Sequence, residues 1–402
     1  MANKLTISAL KLQEKLSYYH TCPHILYWDT KTTTSGGKYS TYPPISISLI
    51  PWYISTLIVF IGSFVCGGNF VYLLLSPWEG GHQLINIGFS FSVGLLGFLA
   101  FGLNVVFFYY ADNFAESLNG LIEFGEEIAI AANKPRKIKK SNKNDIIIGM
   151  FALQTVVFLN IMPFIIVPFE YLEGLDPTAW VLKVVLGNDF EEVLWPVFRI
   201  TLLVGRLGVS LAYITEVCRT VCVMCLIMIL ESPLFFLSLG EFRKEALDYP
   251  VLRKYWKLCR IRNVNVKSCG QMTAVSMGFC FVMMTFTHVG CIFYWERMSG
   301  PILGSFVGTT LVMDGMLHTV LPWVTKLYDM SSRLIKQWRK ENAGMERRGI
   351  KRRHLGMLLN ATRPIAFSIG SVGVLKQETK LGYFAAILNA FFDVAMALNG
   401  IV

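Results

Sequence analysis

Charge is scarce in this chain of 402 residues: Asp, Glu, Lys and Arg together make up 16% of it, against about 25% in an average soluble domain. That shortage excludes an ordinary cytosolic enzyme before any motif is read. No Walker loop, HExxH helix, nucleophile elbow or dinucleotide glycine pattern stands in a supporting context, so no enzyme, cofactor or metal site is expected. The net charge of +10 comes from basic residues scattered between hydrophobic blocks, whereas a nucleic-acid partner needs them gathered on one face. Met1 is not followed by a charged n-region, a short apolar run and a small-residue cleavage site, which argues against a signal peptide.

What the chain holds in excess is apolar residues. They make up 53% of it, and mean hydropathy is +0.49. A bilayer core takes about 20 apolar helical residues. Runs of that kind occupy roughly 46–75, 85–111, 146–168, 194–230, 272–295, 301–328 and 381–401. Lys and Arg set the orientation, because cytoplasmic loops retain positive charge. Five fall in 1–44, six in 112–145 (Lys134, Arg136, Lys137, Lys139, Lys140 and Lys143), eight in 231–271 and nine in 329–354, which is 28 of the 37. The alternate loops are nearly bare of them, with none in 76–84, Lys183 alone beside six acids in 169–194, and Arg297 alone in 296–300.

The expected fold class is therefore an all-α membrane protein with seven transmembrane helices, a cytoplasmic amino terminus and an outer carboxyl terminus. Its parts are a cytoplasmic arm (1–44), a six-helix transmembrane region (45–328), a cytoplasmic anchor region (329–380) and a final helix (381–402). The last apolar run, 364–402, is too long for one crossing, and Lys376-Gln377-Glu378-Thr379-Lys380 interrupts it. Such a patch is costly in lipid. The seventh helix thus reads as split, with a cytoplasmic or re-entrant helix over 364–375 and one crossing over 381–401.

A G-protein-coupled receptor would carry its amino terminus outside and tie its third helix to an outer loop by a disulfide. Neither outer loop, 76–84 or 169–194, holds a cysteine. The nine cysteines fall in spans (Cys66, Cys218, Cys222, Cys225, Cys280, Cys291) or on the reducing side (Cys22, Cys259, Cys269), so no disulfide framework is expected. An inner amino terminus, seven helices, a long basic link between the sixth and seventh, and a split seventh helix resemble the arthropod odorant and gustatory receptor superfamily. Arg363-Pro364-Ile365 followed by Ile369-Gly370 is similar to that family's approach to the seventh helix. Its gustatory branch continues with Thr-Tyr, five hydrophobic residues and Gln-Phe. Here Gly382-Tyr383, Phe384 to Leu388 and Asn389-Ala390 match in part, with Asn in place of Gln. Counting from Pro364 instead sets Met396 at the Gln position, and both registers stand.

The resemblance implies a homo- or heterotetrameric, ligand-gated, non-selective cation channel in the plasma membrane, opened by a small-molecule tastant or odorant. Four copies of the last helix would line one pore, with Ala386, Asn389, Ala390, Asp393 and Met396 as its candidates. An acid in a membrane helix faces a cavity or a partner, and four copies of Asp393 would favour cations; the alternative places Asp393 in the hydrated outer interface. The outer halves of helices two, three, four and six would enclose the ligand. At that depth lie Phe89, Phe91, Phe158, Met162, Phe164, Phe198, Thr201, Arg206, Phe306, Thr309 and Thr310, aromatic walls with a few hydroxyls.

Other intramembrane residues carry two readings each. Asp314 and His318 share a helix face, either as helix glue or as a patch answering ligand, ion or proton, with His288 as a third member. Arg206 either pairs with an acid or binds a polar or anionic ligand. Glu216 and Arg219 form an i,i+3 pair. Cys218, Cys222 and Cys225 read as small apolar packing residues, and Gly300, Gly304 and Gly308 as a close helix approach. The basic loops face membrane lipid headgroups. A seven-helix transporter or metabotropic receptor is the rival class, although the internal repeats expected of a transporter are not evident.

Overall fold

The structure is a computed structural model, and it describes residues 4–19, 24–29, 38–43, 46–76, 81–131, 143–172, 174–187, 196–264, 266–293, 295–297, 300–344, 350–369 and 373–399. The basic clusters at Lys134–Lys140 and Arg347–Arg348, together with Cys22 and Gly370, lie outside these residues. So do the side chains of Phe306, Thr309, Lys143 and Cys269.

The first five apolar runs fold as helices, α2 (Ile50–Leu75), α3 (Gly81–Ala131), α4 (Lys143–Leu172), α6 (Pro196–Phe242) and α8 (Val266–Phe293). Among the described residues these five are long and apolar enough to cross a membrane. The sixth and seventh runs are helical as well, in α9 (Gly300–Gly344) and α11 (Gln377–Asn399). Pro51 opens α2 at a position where its missing N–H costs nothing. Polar residues tie the bundle at points where lipid would leave them unsatisfied. Asn69 donates to Ser90 Oγ at 2.7 Å, and Tyr213 Oη to the Val93 carbonyl at 2.8 Å. Asn104 donates to Glu216 and to Thr56, both at 3.3 Å, and Glu216 pairs with Arg219.

Helix α3 runs for 51 residues, α6 for 47 and α9 for 45. At 1.5 Å per residue, 51 residues reach about 75 Å, more than twice a bilayer core of about 30 Å. The segments 112–145, 231–271 and 329–354, read from sequence as loops, are therefore largely helical extensions. Their apolar residues recur at helical spacing: Leu334, Ile335 and Trp338 are buried in α9, a pattern that charged neighbours concealed. Around these extensions a second layer assembles. It contains α1 (Lys4–Tyr19), the hairpin β1 (Leu26–Asp29) with β2 (Lys38–Thr41), α7 (Tyr249–Val264), α10 (Ile350–Ala361), and the hairpin β3 (Ser368–Ile369) with β4 (Gly373–Val374). This layer forms the basic end of the molecule. Asn119 of α3 brackets Tyr39 of β2, accepting from its N–H and donating to its carbonyl, both at 2.8 Å. His24 is sealed between Trp52 and Phe107, its Nδ1 accepting from the Leu26 N–H at 3.2 Å. Burial and the nearby Arg219 push its pKa down to about 3.

Among the described residues of 364–375 the expected helix is absent, and β3 and β4 pair there instead. Pro364 has no N–H and biases Arg363 away from the helical region. The carbonyls that a helix would have used are taken by side chains instead. Tyr255 Oη donates to Arg363 O (3.1 Å), Ser331 Oγ to Ile365 O (3.0 Å) and Arg262 Nε to Ala366 O (3.3 Å). Ile365, Phe367 and Leu375 are buried, which explains why the run reads as apolar without periodicity. The seventh helix is preceded by a separate helix, but that helix is α10 over Ile350–Ala361.

Two helix contacts require glycine. Tyr213 lies across Gly62 and Gly97, where a Cβ would overlap its ring or hydroxyl. By contrast, among the described residues nothing comes within 4 Å of a Cβ built at Gly300, Gly304 or Gly308. The close helix approach expected there is not made among the described residues.

Candidate functional site

The end opposite the basic layer is shaped by how α4 stops. Gly174 adopts φ 66°, the left-handed conformation that closes a helix. The Leu175 N–H then donates to Glu170 O at 2.8 Å and the Gly174 N–H to Tyr171 O at 3.3 Å. Leu175 is fully buried against Phe89, Phe169 and Phe286, anchoring the turn. Asp176 immediately caps α5 (Pro177–Leu186), accepting from the Thr178 N–H at 2.8 Å with Pro177 at the first helical position. Glu170 and Asp176 are thereby delivered to the same small volume, and both are buried.

Arg206 of α6 meets Asp176 there. Its Nε donates to Asp176 Oδ2 at 2.7 Å, a second guanidinium nitrogen bonds the same oxygen, and the plane lies 5.4 Å from the Tyr171 ring centre. Of the two readings of Arg206, the structure takes the ion pair. Asp176 and Glu170 did not stand out in the sequence, although Asp-Pro before an apolar run is a helix-start signal and would have located α5.

The other expected ligand residues separate into groups. Phe89 packs against Leu175, and the Phe91 ring lies between Phe70 (5.2 Å) and Phe286 (5.4 Å). Phe158 and Met162 are half-buried on α4, and Thr310 faces Cys291 across α8 and α9 at 4.0 Å. Phe164, Phe198 and Thr201 instead point out of the subunit, the first two 57% and 65% exposed. This corrects their placement as pocket walls.

Asp314 and His318 share α9 but part company. Asp314 reaches His288 Nε2 of α8 at 3.5 Å, while the His318 ring stacks on Phe384 of α11 at 5.0 Å. The expected trio therefore resolves into two contacts. Cys222 and Cys225 are buried core residues. Among the described residues no group of His, Cys, Asp and Glu is arranged to hold a metal ion.

Helix α11 has three distinct sides. Tyr383, Ile387 and Ala395 turn inward, Ile387 and Ala395 being buried and Tyr383 Oη donating to Met277 O of α8 at 2.6 Å. Ala386, Asn389, Asp393 and Met396 form a second side at 3- and 4-residue spacing, with Ala390 at its margin, and all but Ala390 are exposed. Leu381, Leu388 and Phe392 make a third, exposed and apolar side.

No family model and no curated protein matches the sequence. Among solved structures, the insect olfactory receptor OR5 of Machilis hrabei in complex with eugenol superimposes with a TM-score of 0.59, covering 98% of this chain and 99% of that one at 10% identity. A second structure of the same receptor gives 0.56, with 96% of each chain covered and 10% identity. End to end, then, this chain has the fold of an insect olfactory receptor.

Proposed function

We propose that the chain is a subunit of a tetrameric, ligand-gated, non-selective cation channel of the gustatory type, residing in the plasma membrane with its basic end in the cytoplasm. The observation that carries this reading is the three-sided last helix. A single copy in lipid would expose Asn389 and Asp393 to hydrocarbon, which is costly. Four copies around an axis give the side with Ala386, Asn389, Asp393 and Met396 a water-filled lumen. The apolar side with Leu388 and Phe392 then meets the neighbouring copy. A ring of Asp393 carboxylates attracts cations. The likeness in fold to olfactory receptor structures supports the same assignment and favours the odorant branch as the alternative.

The ligand is a small organic molecule held at the end opposite the basic layer, near Phe89, Phe91, Phe158, Met162, Arg206 and Thr310. Opening is a population shift, the ligand binding better to the conformation in which the four last helices stand apart. The basic segments lie against anionic lipid headgroups.

Expressing the chain alone and recording currents evoked by eugenol and a panel of tastants tests the proposal. We expect ligand-evoked cation current that loses amplitude and cation preference in Asp393→Ala. Current unchanged in both respects would remove Asp393 from the pore, and an amino terminus accessible from outside intact cells would overturn the topology.

A further inference from the structure

We infer that the His288–Asp314 pair is a proton-binding site, so that protons act on this protein as a second ligand beside the small organic one. His288 Nδ1 lies 2.6 Å from the Met284 carbonyl of its own helix. A carbonyl oxygen only accepts, so Nδ1 carries the hydrogen and Nε2 of the neutral ring is a bare lone pair. That lone pair would face the Asp314 carboxylate, 3.5 Å away on α9, which leaves two acceptors without a donor. One proton on Nε2 turns the contact into an ion pair between α8 and α9. The two side chains are 31% and 33% exposed, so the proton exchanges with the surroundings. An isolated imidazole takes up its proton near pH 6.5, and no other side chain switches charge so close to neutrality.

Other described charge on the surrounding elements is engaged or exposed. On α3 no Asp, Glu, Lys or Arg falls between Gly81 and Ala111. On α6, Arg206 pairs with Asp176 and Arg219 with Glu216, while Arg199 is exposed. On α11, Tyr383 Oη donates to Met277 O, Lys380 Nζ lies 6.0 Å from the Phe384 ring centre, and Asp393 is on an exposed side. Cys291, one turn on from His288, meets Thr310, and Glu296 in the turn 295–297 is exposed. The pair also stands between the proposed ligand site and the last helix. Thr310 precedes Asp314 by one turn of α9, and one turn after it the His318 ring stacks on Phe384 of α11 at 5.0 Å. Loss of the proton sets α8 against α9 at that point, a small change that a packed helix interface passes on. The proton site stands on the geometry of the pair, and its effect on current rests on the channel reading.

The test records current evoked by eugenol, or by an active member of the tastant panel, from the full-length chain at outer pH 5.5 and 8. We expect the half-activating concentration to differ between the two by about threefold, as one ion pair implies. His288→Gln keeps a donor toward Asp314 but does not titrate, and it should at least halve that difference. Asp314→Asn should do the same, and His318→Gln should leave the difference intact. No difference in the natural chain, or one that His288→Gln does not halve, would overturn the assignment. If no compound evokes current, melting of the purified chain decides, through a double-mutant cycle of His288→Gln and Asp314→Asn in which the contribution of His24 cancels. A coupling at pH 5.5 that is lost at pH 8 keeps the proton site and sinks the channel reading, whereas equal coupling at both, or none, sinks the proton site.

Discussion

Arg262 and Glu231 make the sharpest energetic statement in the basic layer. They pair at 3.3 Å with side chains 3% and 1% exposed. Arg262 also donates to Ala366 O at 3.3 Å and lies 4.3 Å from the Phe367 ring centre. One guanidinium thus ties α7 to α6 and to the extended segment that leads into the last helix. Arg262→Met removes this counter-ion from the buried Glu231 carboxylate, at a cost of about 3–5 kcal/mol, and Glu231→Met takes the carboxylate from the guanidinium at a similar cost. The double variant removes both charges. Among the described contacts it should lose the bond to Ala366 O and the contact with Phe367, about 1–2 kcal/mol. Those two losses are shared by Arg262→Met and the double variant, so a double-mutant cycle cancels them and isolates a coupling of about 4–9 kcal/mol. For 402 residues, an unfolding entropy near 2.1 cal/mol/K per residue converts each kcal/mol into about 1.2 °C. The apparent melting temperature in detergent should fall by about 4–6 °C in each single variant and by about 1–2 °C in the double variant. A double variant that melts as low as the two single effects added together would refute the pairing as the source of the stability.

Two further outcomes follow from the packing. Below pH 6.5 the unfolded chain protonates His24 while the folded chain resists until about pH 3. Stability should therefore drop on acidification by up to about 1.4 kcal/mol per pH unit, a slope that melting curves between pH 6.5 and 5 should show and that His24→Phe should reduce. Gly97→Ala drives a methyl group into Tyr213 and Ser63 and should cost about 1–3 kcal/mol or abolish surface expression; Gly205→Ala, which meets nothing within 4 Å, is the control and should melt like the natural chain.

The helices inside lipid were legible because their composition is forced: about 20 apolar residues leave no other reading. The basic end was not, because its helices are amphipathic and their charges dominate a hydropathy reading. In α7, Val251, Leu252, Tyr255, Leu258 and Arg262 are buried at helical spacing amid Arg253, Lys254, Lys257 and Arg260, and the eye meets the charges first. The segment after Pro364 failed for the opposite reason, since Ile365, Phe367 and Leu375 are apolar enough for helix or strand. What decided it was the set of carbonyl acceptors used by Tyr255, Ser331 and Arg262, all distant in sequence. At the end opposite the basic layer, position along a helix could be counted but facing could not, so Phe89 and Phe91 point inward while Phe164 and Phe198 point out. Arg206 announced that it needed a partner without naming Asp176, which is 30 residues away.

The measurement that bears most directly on the account is a single-particle density map of the purified full-length chain in a lipid nanodisc. Four subunits should surround one axis, with Gln377–Asn399 innermost and Asn389 and Asp393 turned toward the conduit. A particle with a single subunit, or one in which that helix lies on the lipid-facing perimeter, would contradict it.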